Sequence, residues 1–236
     1  MDDPTFVLVH SPIVGPATWL PVADALRADG RRVVVPSLLD VARSAPPRWQ
    51  AVISAIERGL PEVLAKHVIL VGHSGAGPLL PVVSAHLDAT VDAYVFVDAS
   101  VPPLEGATTA ASNSFLAVLE GLSDKGNLPP WSAWWGPGVM EKLVPDPTLR
   151  AAIEAELPRM PLSYFTESIP VPAGWADTPS AYLQFSAPYQ DDAATALAHG
   201  WPVHRIVGQH LHLVVEPNAV AEAVVALAQQ ALIRAS

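Results

Sequence analysis

"VILVGHSGAG" occupies residues 68–77. Residues 68–71 are an unbroken apolar run, the pattern of a strand buried on both faces. Gly72-His73-Ser74-Gly75-Ala76 then follows the G-x-S-x-G pattern, with Ala76 in its last place. The demand behind that pattern is steric: a serine on a strained strand-to-helix turn needs small residues two positions to either side, so that the backbone can crowd together. The Ser74 hydroxyl is then expected to project above the sheet, and the Gly75 N–H to point into the same space from a helix N-terminus. The bland alternative is a tight turn with no chemistry. Pro78 falls near the first turn of the predicted helix, where a missing donor costs little, and Pro81 is expected to kink it.

The rest of the chain repeats this alternation. Residues 6–9, 32–35, 93–97, 181–185 and 203–207 also read as strands. Residues 19–28, 49–64, 191–199 and 219–234 carry helical spacing. Apolar strands alternating with helices predict an α/β fold: a mostly parallel sheet with helices on both faces. Regularity fails between the fourth and fifth of these strands. Many of the chain's 25 prolines lie between Pro102 and Pro188, and only short helices are expected, over 115–122 and 147–157. The predicted organisation is a core of residues 1–103 and 173–236, interrupted by an inserted helical lid of residues 104–172.

Composition narrows the function classes. Half of the 236 residues are hydrophobic and 15% are charged, enough for a large core and unlike a disordered chain. The formal charge is −10, a poor match to nucleic acid or an anionic membrane surface. There is no cysteine, which excludes disulfides and thiolate chemistry. No apolar run approaches the ~18 residues of a membrane span, and Met1-Asp2-Asp3-Pro4 lacks the basic start of a secretory signal, so a cytoplasmic protein is expected. There is no phosphate-binding loop, dinucleotide fingerprint or metal-ligand spacing, so no cofactor and no metal is implied.

A nucleophilic serine needs a base. "IVGQHLHLVVEP", residues 206–217, offers His210 and His212. The order strand, Gly208, Gln209, His210, Glu216-Pro217 and helix favours His210, and His212 reads as structural. The bland reading of His210 is a solvated loop histidine.

Three stretches together resemble one family. Leu8-Val9-His10 with Trp19 nine residues after His10, the turn at Gly72 to Gly77, and Gly208-Gln209-His210 through Glu216-Pro217 are similar to the lidded α/β-hydrolase superfamily, in its esterase, methylesterase and hydroxynitrile-lyase branch. The resemblance spans nearly the whole chain except the lid. It implies a serine nucleophile at Ser74, a base at His210, an orienting carboxylate and an oxyanion hole.

Two departures stand out. The family's opening loop has glycine after the histidine, and the next residue donates an oxyanion N–H; here those places hold Ser11 and Pro12, and proline has no N–H. Gly75 N–H remains, with the Ile13 N–H and the Ser11 hydroxyl as candidate second donors. The family's acid commonly lies a few residues past the penultimate strand, a slot that here falls near Ala187 and Pro188. Asp98, at the carboxyl end of the fourth strand, is the preferred acid, since ligand-facing groups gather at that edge of open α/β sheets. Asp191 and Asp192 stay open as alternatives, or as caps of the following helix.

Trp131, Trp134 and Trp135 in the lid are expected to wall an apolar pocket together with His10, Pro12 and His73, or else to fasten the lid to the core. The leading expectation is a serine-dependent hydrolase of a small-molecule ester or thioester, working through an acyl-enzyme on Ser74. The odd oxyanion loop keeps an acyltransferase open, passing an aromatic or acyl group to a small acceptor or taking it from an acyl-carrier protein, as in a natural-product pathway. A non-catalytic small-molecule receptor is the reading from another class. Neither nucleic acid nor membrane is an expected partner, and the oligomeric state is open.

Overall fold

Apolar runs that the sequence marks as strands do line up as a sheet, and the computed structural model describes them over residues 4–60 and 66–235. The chain begins β1 (Thr5–Val9), α1 (Leu20–Ala28), β2 (Arg32–Val34), α2 (Trp49–Gly59), β3 (His67–His73) and α3 (Leu80–Ser84). It continues with β4 (Thr90–Val97), β5 (Gly106–Thr108), α4 (Asn113–Leu122), α5 (Val139–Leu143), α6 (Pro147–Ala155) and β6 (Ile169–Val171). It ends with β7 (Ser180–Gln184), α7 (Gln190–Ala198), β8 (Val203–Arg205), α8 (His212–Val215) and α9 (Pro217–Ala235). Six strands form one sheet in the order β2-β1-β3-β4-β7-β8, and each pairing is parallel.

The two-residue period of a strand explains why the runs are unbroken. Along β1, Phe6 and Leu8 face the side covered by α1 and α9, where they meet Val22, Leu26, Val220 and Val224. Val7 and Val9 face the other side, with Val52 and Ile56 of α2 and Ala193 of α7. Each fully buried Val or Leu contributes roughly 1.5–3 kcal/mol.

Two expected helices differ. Past Ser74 there is a 3₁₀ segment, Ser74–Leu79, followed by the five-residue α3. Pro78 lies inside the first and Pro81 in the first turn of the second, so the prolines divide the helix instead of kinking it. The expected helix over 49–64 ends at Gly59, where an added Cβ would lie 3.1 Å from the Pro36 side chain. Its continuation over 61–64 lies outside the described residues, as does the N-terminal reading of residues 1–3.

Between β4 and β7 the chain leaves the sheet. β5 and β6 pair antiparallel, Gly106 opposite Val171 and Thr108 opposite Ile169, and draw the two ends of the excursion together. Its buried Leu119, Trp134, Ile153 and Phe165 join the cluster that holds Val14, Trp19 and Leu213 of the core. Polar ties cross from it to the core. The Ala17 N–H donates to Glu156 (2.8 Å), and Arg48 pairs with Glu167 and also bonds the Ser163 hydroxyl. Among the described residues, no helix is long and apolar enough to cross a membrane.

Candidate active site

The turn after β3 is strained as the sequence requires. Ser74 has φ of 59°, a left-handed conformation that costs a non-glycine residue about 1–3 kcal/mol. A Cβ on Gly72 would lie 3.0 Å from the Leu80 side chain, and the methyl of Ala76 is fully buried without conflict. The tightest approach comes one residue later than the pattern places it. A Cβ on Gly77 would fall 2.2 Å from the Ser100 carbonyl oxygen, a backbone atom that no side-chain rotation can move. Gly77→Ala is therefore expected to destabilise the fold by about 2–3 kcal/mol, read as a lowered urea midpoint with unchanged m. An unchanged midpoint would show that the 98–101 loop yields freely.

His210 follows β8 and reaches back across the sheet edge. Its Nε2 lies 2.9 Å from Ser74 Oγ, and its Nδ1 lies 2.8 Å from Asp98 Oδ2. Asp98 closes β4 with φ of 41° and is 0% exposed. Its Oδ1 accepts the N–H groups of Phe185 and Ser186, and its Oδ2 accepts the Ser186 hydroxyl as well as the His210 ring. Burial alone would push this carboxyl up; the hydrogen bond and charge of His210, with the Ser186 bonds, overcome it and hold the group below its ordinary value. An ionised Asp98 only accepts, so Nδ1 carries the proton and Nε2 presents its lone pair to Ser74. Of the three carboxylates the sequence left open, Asp98 is the one that meets the ring. Asp191 is exposed on α7, and Asp192 accepts the Val101 N–H at 2.8 Å, tying α7 to the loop after β4.

The opening loop is a turn: the Val14 N–H donates to the Ser11 carbonyl at 3.0 Å. Pro12 takes the second position, where its fixed φ suits a turn. Ser11 is 3% exposed, and its hydroxyl has no hydrogen-bond partner among the described residues. Its Oγ lies 2.9 Å from the point where a Cβ on Gly75 would stand. Ser11, Ile13, Ser74, Trp131 and His210 share the wall of one small cavity of about 10 Å³.

Several residues expected around a pocket do other work. His10 is fully buried, its Nδ1 donating to the Ser11 carbonyl (2.9 Å) and its Nε2 accepting the Leu38 N–H (3.0 Å). It pins the opening loop to the segment after β2 and has no nitrogen left for a ligand. Pro12 is buried in the turn and does not line the cavity. His73 does touch the cavity, but its Nε2–H donates to the His210 carbonyl (3.0 Å) and its ring lies 4.6 Å from that of His210. It holds the His210 loop in place. Burial lowers both histidines, His10 to about 4 and, with the opposing charge of His210, His73 to about 3. Of the three tryptophans, Trp131 reaches the cavity, with its ring 6.2 Å from His210. Trp134 donates to the Pro129 carbonyl and packs on Phe115 and Phe165, inside the inserted segment. Trp135 stacks on Phe115 at the surface, 45% exposed.

One residue at the site was passed over in the sequence. Tyr189, in the 3₁₀ turn Ala187–Tyr189 after β7, stacks its ring parallel to His210 (5.0 Å, 9°) and sets its hydroxyl 3.2 Å from Ser74 Oγ. The signal in the sequence is a tyrosine one residue past the Ala187-Pro188 slot where the family's acid is expected.

Comparisons with known proteins agree with this architecture. The sequence profile of the alpha/beta hydrolase family matches residues 6–223. No curated protein matches the chain. Among solved structures, it is similar to an extracellular alpha/beta-hydrolase from a Paenibacillus species, described as sharing structural and functional homology with tobacco salicylic acid binding protein 2 (22% identity, TM-score 0.73, covering 95% of this chain and 98% of that one). It is also similar to tomato methylketone synthase I (16% identity, TM-score 0.69, covering 98% and 100%). A third is polyneuridine aldehyde esterase (15% identity, TM-score 0.65, covering 95% and 99%). At these identities the likeness is one of fold. A parallel sheet carrying a strained serine at the end of its third strand, matched by the family's profile over nearly its whole length, makes this chain a member of the alpha/beta hydrolase family.

Proposed function

We propose that the protein is a serine hydrolase acting on an ester or thioester, in the esterase-like branch of its family. The observation that carries this is the single imidazole bridging Ser74 Oγ at 2.9 Å and Asp98 Oδ2 at 2.8 Å. In the proposed cycle, His210 Nε2 takes the Ser74 proton as Oγ adds to the carbonyl carbon. The Asp98 carboxylate steadies the imidazolium that results. His210 returns the proton to the leaving oxygen or sulfur, and the acyl group stays on Ser74. Water, deprotonated by the same His210, then adds to the acyl carbon, and the acid leaves as His210 returns that proton to Ser74 Oγ. The oxyanion is held by the Gly75 N–H, and the Ser11 hydroxyl beside it takes the place of the donor that Pro12 lacks, with the Ile13 N–H as the other candidate.

Names given to the structural neighbours include esterase and hydrolase, which supports this reading. Trp131 and Ile13 in the cavity wall favour an apolar or aromatic acyl group. A cavity of about 10 Å³ accommodates at most one water. In this reading the cavity widens as substrate enters, and residues 104–172, which contribute Trp131 to its wall, are the lid that moves. A fluorophosphonate probe, read by mass spectrometry, is expected to label Ser74, and His210→Ala to label at least 100-fold more slowly. A folded protein left unlabelled would point to the receptor reading. Product analysis with alcohol, amine and thiol acceptors separates hydrolysis from transfer: water as the acceptor that wins throughout supports a hydrolase.

A further inference from the structure

The geometry points to Tyr189 as a further catalytic residue, a hydrogen-bond donor to the leaving-group oxygen of the ester; the inference rests on Ser74 being the nucleophile. The resting hydrogen bonds fix the direction of its proton. Nδ1–H of His210 faces Asp98, so Nε2 is an acceptor and receives the one proton of the Ser74 hydroxyl. Ser74 Oγ has no second proton to offer, so at 3.2 Å the Tyr189 O–H donates and Oγ accepts. Burial raises the phenol above its ordinary value, which keeps it a neutral donor throughout the working range.

Position then says which oxygen Tyr189 serves once substrate has arrived. Its ring lies flat against the imidazole, at 5.0 Å and 9°, so the hydroxyl and Nε2 converge on Oγ from adjacent directions. Gly75 and Ser11 lie beside one another, Ser11 Oγ being 2.9 Å from the point where a Cβ on Gly75 would stand, and they form the oxyanion group. In the tetrahedral intermediate the oxyanion takes that group, and the leaving oxygen takes the side of His210 that Tyr189 shares. As the bond between carbon and leaving oxygen breaks, the electron pair stays on that oxygen and His210 Nε2 transfers its proton there. Tyr189 keeps its own proton and stabilises the developing charge by hydrogen bonding alone. The loop after β7 has room for this donor because the acid sits on β4 instead, at Asp98.

Leaving-group dependence is the test. Tyr189→Phe keeps the ring and its stacking on His210 and removes only the hydroxyl. With alkyl esters, whose leaving oxygen needs help, kcat is expected to fall roughly tenfold, the worth of one hydrogen bond formed as charge develops. With nitrophenyl esters kcat should stay within about twofold. Fluorophosphonate labelling of Ser74 should be at least as fast as in the unaltered protein, since the variant no longer occupies an Oγ lone pair. Equal losses on both ester classes, or no loss on either, would overturn the role of Tyr189 and leave the serine mechanism standing. Failure of the unaltered protein to label at all would overturn the serine mechanism itself.

Discussion

Asp98→Asn is expected to lower kcat by roughly 10³–10⁴-fold on any ester the protein turns over, with little change in KM. The reason lies in counting donors. Asp98 accepts from four: the N–H groups of Phe185 and Ser186, the Ser186 hydroxyl and the His210 ring. An asparagine has one acceptor oxygen and one NH₂. The two backbone donors on one side hold the amide oxygen, and the NH₂ is left facing His210 Nδ1. That nitrogen must then accept, the ring proton moves to Nε2, and Ser74 faces an N–H where it needs a lone pair. Steady-state assays of Asp98→Asn beside Asp191→Asn and Asp192→Asn measure it. Asp191→Asn should stay within about twofold, because Asp191 is exposed on α7. Asp192→Asn should stay within a few-fold, because an amide oxygen still accepts the Val101 N–H. A folded Asp98→Asn with near-full activity would remove Asp98 from the mechanism.

That Asp98 was legible at all shows what a sequence carries. Buried parallel strands announce themselves as apolar runs, and an aspartate directly after such a run must stand at the sheet's carboxyl edge. Ser74 and His210 follow the same logic, since each is bound to a strand end by a fixed offset. A sequence carries less wherever a residue's partners come from distant segments. His10 looked like a pocket residue because it sits at the end of β1, but its two nitrogens are consumed by Ser11 and by Leu38, 28 positions away. The β5–β6 pair escaped notice because strands of three residues, one of them holding Pro170, carry no period. Trp131, Trp134 and Trp135 are nearly contiguous in the chain. Their different fates, in the cavity wall, inside the inserted segment and at the surface, are decided by short 3₁₀ and turn geometry that composition does not encode. Tyr189 is invisible for a related reason: its importance comes from a ring face and a hydroxyl meeting two residues contributed by other loops.

The two buried histidines make the fold acid-sensitive. Between pH 6.5 and 4.5 the free energy of unfolding is expected to drop by about 4 kcal/mol from His10 and His73 together. Burial strips water from both rings; protonating His10 would also turn Nε2 into a donor pointed at the Leu38 N–H, and protonating His73 would set a buried charge beside the His210 ring. Both native values are therefore depressed, to about 4 and about 3, from an unfolded value near 6.5. The sign follows from proton counting. Below pH 6.5 the unfolded chain binds two protons that the native protein refuses, so stability is complete above that pH and falls as pH drops, by up to about 1.4 kcal/mol per unit for each histidine. Asp98 acts only lower down, since its native value lies below the ordinary carboxylate range. Asp192, raised by burial, binds its proton more readily when folded and offsets part of the loss near pH 4. Urea unfolding at half-unit pH steps measures the slope. His73→Gln keeps a donor for the His210 carbonyl and cannot titrate, so it should cut the slope from about two protons to about one. A stability that stays flat from pH 6.5 to 4.5, or a slope that His73→Gln leaves unaltered, would mean that these rings find room for their protons in the folded chain.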